Sequence, residues 1–399
     1  MASVSQSPSP EFRLVCAACR WPREARDAAV RAAVAPGLDW ERVAQITKRH
    51  RVWGLVADAL RSAGVALPAN AARAFEERGG QIARQNLMAA AETRRLGGML
   101  DAAGIDWITF KGLPLAIQAY GTLSIKMAND IDILVAPEDC ARGCDLLRTA
   151  GYVRFSPGPE VSDEQVAAWM LVSKESGWRH PETRLIVELH GRLMANPALL
   201  PQAVLSAPRK QVEIARGIAV PTMGDALLYP YLFAHGAHHG WFRIKWIADV
   251  AAMLVHEGPE GAEARYREAK AAGVGRCAAQ ALLLAEELLG LPLAPAFSKE
   301  LRRDPVHRLL LRVSMNCVGG QFEATEHASP WARTMLPVLF AGLLLRRGLG
   351  YKWREVSSLA ANPVDRATGR LPKALSFLYP VLGGVRWSGR MLGLVRRSR

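Results

Sequence analysis

Residues 106–135 read DWITFKGLPLAIQAYGTLSIKMANDIDILV, and their reading decides the fold. An apolar run ends at Phe110. Lys111-Gly112 breaks it, Leu113–Tyr120 has the composition of a short helix, and Ile131–Val135 forms a second apolar run with Asp130 and Asp132 at its front. Side chains two apart in a strand share a face. Asp130 and Asp132 are therefore expected side by side, with Ile131 and Ile133 turned to the opposite layer. Two ionised carboxylates on one face repel, and burying them uncompensated is costly. A divalent cation offsets that cost, and hard carboxylate oxygens suit Mg²⁺ or Mn²⁺. A solvated strand edge carrying two acids is the competing reading of so short a pattern.

Working outward, Pro137-Glu138-Asp139 opens a helix that Gly151 closes, with proline in the first turn and acids at the positive end. Tyr152–Phe155, Trp169–Ser173 and Arg184–His190 read as further strands, and Gln211–Val220 as a short strand pair. The expected core over residues 105–222 is a small α/β (α+β) mixed sheet. Helical patterns flank it. Residues 11–104 form an N-terminal helical region in which Asp39 caps one helix and Asn70 another. A helical domain follows over 223–345, then a basic C-terminal segment over 346–399. Residues 1–10, rich in Ser and Pro, read as a disordered tail.

The segment RLIVELH, residues 184–190, adds a third carboxylate. In a strand Glu188 shares a face with His190, while Val187 and Leu189 point away. If this strand lies beside the Asp130–Asp132 strand, three carboxylates converge, a set able to hold two Mg²⁺ ions around a triphosphate. His190 either orients a carboxylate or is a hydrogen-bonded structural histidine. Lys111-Gly112 is complementary: glycine allows close backbone approach, and a helix N-terminus favours anionic phosphate.

Four stretches together carry a resemblance. They are Phe110-Lys111-Gly112, the run KMANDIDILV at 126–135, VELH at 187–190, and AHGAHHGWFRIKWIADV at 234–250. The sequence is similar through them to the uncharacterised bacterial nucleotidyltransferase family of the polymerase-β-like superfamily, from about Asp39 to Leu289. The resemblance implies a nucleotidyltransferase core with Asp130 and Asp132 as metal ligands and Glu188 as third ligand and general base. It implies an NTP substrate, a nucleoside monophosphate passed to an acceptor hydroxyl on a small molecule, glycan precursor or protein, and release of pyrophosphate. Lys111, Gly112 and Lys126 are then the nucleotide-binding candidates. Superfamily members commonly carry Gly-Gly or Gly-Ser where this chain has Lys111-Gly112, and the family often has Arg where Lys126 stands. A lysine lacks the bidentate geometry of arginine. A non-catalytic nucleotide-binding or accessory protein that keeps the fold is the alternative function.

Composition sets the outer limits. Half of the 399 residues are apolar, enough for a sizeable core and against global disorder. Lys and Arg number 51 against 37 acids, a net charge of +14 that suits a polyanionic partner: a nucleotide, a nucleic acid or an anionic membrane face. Much of the excess falls late, at Arg346, Arg347, Lys352 and Arg354 and in the tail residues Arg390, Arg396, Arg397 and Arg399. The six cysteines suggest no extracellular disulfide framework, and Cys16-x-x-Cys19 has no second pair at zinc spacing. No signal peptide or spanning helix is legible, so a soluble cytoplasmic protein is expected. His235, His238 and His239 lack the H-E-x-x-H pattern and are read as packing or pocket wall rather than a zinc site.

Overall fold

The computed structural model describes residues 8–158, 161–200, 206–325 and 331–360. Five helices come first: α1 (Pro10–Ala18), α2 (Arg23–Ala33), α3 (Trp40–His50), α4 (Trp53–Ser62) and the long α5 (Ala69–Ala102). Ser9, placed by composition in the terminal tail, caps α1 by accepting from Phe12 N–H at 3.1 Å. Asp39 caps α3, accepting from the N–H groups of Glu41 and Arg42.

Strands then alternate with helices: β1 (Trp107–Thr109), α6 (Leu113–Tyr120), β2 (Ile131–Val135), α7 (Cys140–Thr149), β3 (Val153–Ser156), α8 (Asp163–Ser173), β4 (Glu175–Arg179) and β5 (Ile186–His190). They build a five-stranded mixed sheet in the order β1-β2-β5-β4-β3. The middle pair, β2 and β5, is parallel, and the other neighbours run antiparallel. The strand expected at Trp169–Ser173 is instead the end of α8, and the strand follows it at Glu175. Helix start chemistry wins here. The Gln165 side chain accepts from Ser162 N–H at 3.1 Å, and Val166 and Met170, four apart, bury one helical face.

The hairpin β6 (Arg209–Ala215) and β7 (Ile218–Met223) contains the expected strand pair. Helices complete the chain: α9 (Asp225–His238), α10 (Ile244–Val255), α11 (Gly258–Ala271), α12 (Gly275–Leu289), α13 (Pro295–Arg303), α14 (Pro305–Val318), α15 (Trp331–Gly342) and α16 (Leu349–Ala360). The architecture is thus α+β, a small mixed sheet set among helices.

Strand alternation divides the sheet between two cores. Ile131, Ile133 and Val135 join Val187 and Leu189 in one cluster with Leu96 and Leu100 of α5 and Leu147 of α7. Each such side chain contributes about 1.5–3 kcal/mol by leaving water. Leu134 and Phe110 face the other way and join the helical core with Tyr231 and Phe233 of α9. Asp132 and Glu188 point to this second side, where α9 and α10 stand over the sheet.

All six cysteines are free and buried. Among the described residues no helix is long and apolar enough to cross a membrane. Most of the basic end, including Arg386, Trp387, Arg390, Arg396, Arg397 and Arg399, lies outside the described residues.

Candidate active site

Parallel pairing of β2 and β5 puts Asp132 directly opposite Glu188. Asp130 sits one residue before β2 and lines the same cavity, of about 270 Å³. Lys111 reaches between the two strand carboxylates. Its Nζ lies 2.7 Å from Asp132 Oδ1 and 3.4 Å from Glu188 Oε2. His190 is wholly buried, with Nε2 3.0 Å from Asp132 Oδ1 and 3.6 Å from Glu188 Oε2. Its other nitrogen lies 3.2 Å from Glu175 Oε2, the acid paired with it across β4 and β5. Ligand atoms of Asp132, Glu188 and His190 lie within 4.8 Å of one another, close enough for one ion.

The backbone around this cluster is shaped for approach. Gly112 has φ +62° and ψ −118°, a conformation essentially reserved for glycine, and it leads into α6 without a side-chain cap. Pro114 stands in the first turn of α6 and has no N–H, while Gly112 and Leu115 line the cavity. A Cβ at Gly112 would meet the Asp130 carbonyl oxygen at 3.4 Å. Asn86 of α5 clamps the loop before β2. It donates to the Lys126 carbonyl at 2.7 Å and accepts from Ala128 N–H at 3.3 Å.

Residues 36–290, well over half the chain, match the family model of an uncharacterised nucleotidyltransferase. The chain belongs to that nucleotidyltransferase family. No individual curated protein matches it. The matched span of this nucleotidyltransferase takes in the whole sheet, the hairpin and α9 to α12, and so every site residue named above.

Electrostatics set Asp130 and Glu188 apart. Burial, and then the neighbouring Asp132, lift the Asp130 carboxyl to about 6, with Lys111 opposing them. Burial would also raise Glu188, but the nearby His190 and the charge of Lys111 win and hold it well below the ordinary carboxylate range. Lys111 shows the converse: burial favours its neutral form, yet Asp132 and other acids overcome that and keep the ammonium firmly protonated. Burial alone would lower His190, but Glu175 and Asp132 raise it. Buried atoms without a hydrogen-bond partner remain in this cluster, among them Asp132 Oδ2, Glu175 Oε2 and His190 Nδ1.

Lys126 lines the cavity, but its ammonium is already engaged 2.6 Å from Asp249 Oδ2. Tyr120 donates to the other oxygen of Asp249 at 3.0 Å. Lys245 lies one helical turn from Asp249 on α10. The fold instead brings in Lys126 from the far side, across more than a hundred residues. Lys245 is left facing the cavity. Burial first, and then nearby Lys126, lower its ammonium to about 8.

Sequence reasoning missed several residues that line the cavity. Arg51 ends α3 in the left-handed conformation, φ +56°. Lys174 closes α8 at φ +77° and pairs with Glu175 at 2.5 Å. Arg243 and Trp246 flank Lys245. A positive φ at a non-glycine residue hints at function only after folding shows it. His235 and His239 form part of the wall, His239 stacking on Trp246 at 5.2 Å and Tyr231 Oη lying 3.3 Å from His235 Nδ1. Burial lowers both imidazoles well below their usual range, so they stand neutral. His238, the third histidine of that run, is not among the cavity residues.

Proposed function

We propose that this protein is a metal-dependent nucleotidyltransferase that transfers a nucleoside monophosphate from an NTP to an acceptor hydroxyl. The observation that carries the reading is the parallel register setting Asp132 opposite Glu188, with Asp130 at the same cavity. A divalent cation, Mg²⁺ or Mn²⁺, fits this donor set on a specific ground: Asp132 Oδ2 is buried and unpartnered, and carboxylate oxygens are hard donors. Asp130, Asp132 and Glu188 would hold it, with His190 fixing the Asp132 carboxylate from behind. When bound, the ion supplies charge neutralisation and polarisation at the phosphates.

The chain's own groups do the remaining work. Gly112 and the N-terminus of α6 receive phosphate oxygens through the backbone N–H groups that remain beside Pro114. Lys245, rather than the engaged Lys126, meets phosphate as a point charge, and Lys111 leaves the carboxylates to join it. Glu188, ionised and facing the cavity, takes the proton from the acceptor hydroxyl. The acceptor oxygen bonds to the α-phosphorus, the bond from that phosphorus to the bridging oxygen breaks, and pyrophosphate leaves. Six reduced, buried cysteines suit a reducing compartment such as the cytoplasm.

A second reading rests on Lys111 itself. An ammonium between Asp132 and Glu188 already neutralises them, as a nucleotide-binding protein without catalysis would need. One experiment separates the two. The protein is titrated with a fluorescent NTP analogue, with and without Mg²⁺ or Mn²⁺, and incubated with each γ-labelled NTP to follow pyrophosphate release. Catalysis predicts binding that tightens with the cation and turnover that Asp132→Ala abolishes. Cation-independent binding, or equal pyrophosphate release by the variant, overturns it.

A further inference from the structure

The strongest feature outside the cavity lies on α15 and α16. Leu349, Trp353 and Val356 recur at i, i+4 and i+7 along α16 and are exposed, Leu349 at 84% and Trp353 at 71%. That spacing makes one apolar helical face. Leu336 and Phe340 repeat the pattern on α15 at 58% and 59%. The opposite side of α16 is anchored inward. Tyr351 and Glu355 are buried, and Glu355 accepts from Asn196 at 2.7 Å.

The charged residues that stand beside this face on and just before α16 are basic. Lys352 and Arg354 flank it on α16, and Arg347 is exposed just before it. The one acid of α16, Glu355, is the buried one. Beyond α16 the sequence continues for residues 361–399 with eight basic residues against a single acid, Asp365. A core would not leave Trp353 and Phe340 in water, and a nucleic-acid groove would not call for Leu349 and Val356. Apolar side chains with a tryptophan, with Arg347, Lys352 and Arg354 beside them, match the boundary of an anionic bilayer, where the apolar face enters the acyl region and the cations meet headgroups.

We propose that α15 and α16 form a docking surface for an anionic lipid membrane. The surface is joined to the catalytic half: Val338 of α15 packs against Gly240, one residue past the cavity residue His239. Docking therefore holds the cavity wall close to the bilayer. The proposal does not depend on the nucleotidyl-transfer reading, because its test uses no nucleotide.

Full-length protein is sedimented with vesicles of phosphatidylcholine alone or mixed with phosphatidylglycerol. It should bind the mixed vesicles and be released by salt. Leu349→Ser/Trp353→Ser should weaken that binding roughly tenfold or more, since two side chains no longer enter the apolar layer. Lys352→Glu/Arg354→Glu should weaken it comparably. Leu349, Trp353 and Arg354 are exposed and Lys352 is half-buried, so the melting temperature stays nearly unchanged and serves as the folding control. Unaltered binding by either variant overturns the proposal, as does equal binding to phosphatidylcholine alone. A light-scattering mass that halves in Leu349→Ser/Trp353→Ser would assign the face to a second copy instead. Duplex DNA binding lost in the same variants, without vesicle binding, would assign it to nucleic acid.

Discussion

Replacing Lys111 by Met tests the centre of the site. In the protein without metal, the Lys111 ammonium is the nearest cation to both Asp132 and Glu188, at 2.7 and 3.4 Å. The Lys111 side chain is 19% exposed and that of Asp132 is fully buried, so solvent screens the pair weakly. At an effective dielectric near 20 the direct attraction at this distance is about 6 kcal/mol, much of it offset by desolvating the lysine. His190 still faces Asp132 after the change, which limits the loss to about 2–4 kcal/mol. The expected fall in melting temperature at pH 7.5 in chelator is on the order of 5 °C. The pH dependence has a definite sign. Glu188 is held below its unfolded value partly by Lys111, so the stability it contributes is present above that value, about 4.3. It is lost as pH falls through the lower folded value, so the deficit of the variant is full at neutral pH and shrinks in acid. Divalent cation should reverse the deficit, by about 2.7 kcal/mol at a hundredfold excess over its dissociation constant. It should stabilise the variant more than the wild type, in which the ion has to displace an ammonium. Thermal melts across pH, with chelator and with Mg²⁺, make the measurement. A variant that melts with the wild type in chelator, or that ignores the cation, refutes the view of these carboxylates as a cation site.

Asp130→Asn should stabilise the metal-free protein by about 3 kcal/mol at pH 8 and little at pH 4, because a raised folded carboxyl costs stability as pH climbs from the unfolded value to about 6; chelated melts at the two pH values read it. Lys126→Met should destabilise by about 2–4 kcal/mol, since Asp249 loses a buried partner at 2.6 Å, whereas Lys245→Met should leave melting nearly unchanged yet weaken NTP binding at least tenfold, or about 1.4 kcal/mol. Melts beside a fluorescent-nucleotide titration separate the two lysines, and the reverse pattern would exchange their roles.

Local patterns carried much of this fold. The apolar run 131–135, bounded by Asp130 and Pro137, became β2 with its expected residues, and RLIVELH became β5. Period-two alternation then put Asp132 and Glu188 on the same side once the strands paired in parallel. The error at Trp169–Ser173 arose because its apolar run, MLV, suits either state, and only the start at Ser162 decides for helix. What the sequence could not show were contacts made across long separations. Nothing local distinguishes Lys126 from Lys245. The pairing with Asp249 does, and it depends on how α10 lies over the loop that Asn86 clamps. Arg51 reaches the cavity because Arg49 and His50 of α3 grip the approach to α10, through the Phe242 carbonyl at 2.6 Å and Ile244 N–H at 3.2 Å. The N-terminal helices therefore help build the site, beyond packing on it.

The charge inventory of the cavity argues for cation and nucleotide arriving together. Its walls carry Arg51, Lys111, Lys126, Lys174, Arg243 and Lys245 against Asp130, Asp132, Glu175, Glu188 and Asp249, six basic groups less five acidic ones, a net of one positive charge with histidines neutral. Much of that charge is spent internally, Lys126 on Asp249, Lys174 on Glu175 and Lys111 on Asp132. A bare triphosphate brings several negative charges beside three carboxylates, so this cavity would repel it as much as attract it. A divalent cation held by Asp130, Asp132 and Glu188 would change the balance, since it would neutralise the carboxylates and Lys111 could then turn to the phosphates. Tight binding of an NTP in chelator would contradict this account, since it would require the carboxylates to be neutral or turned away.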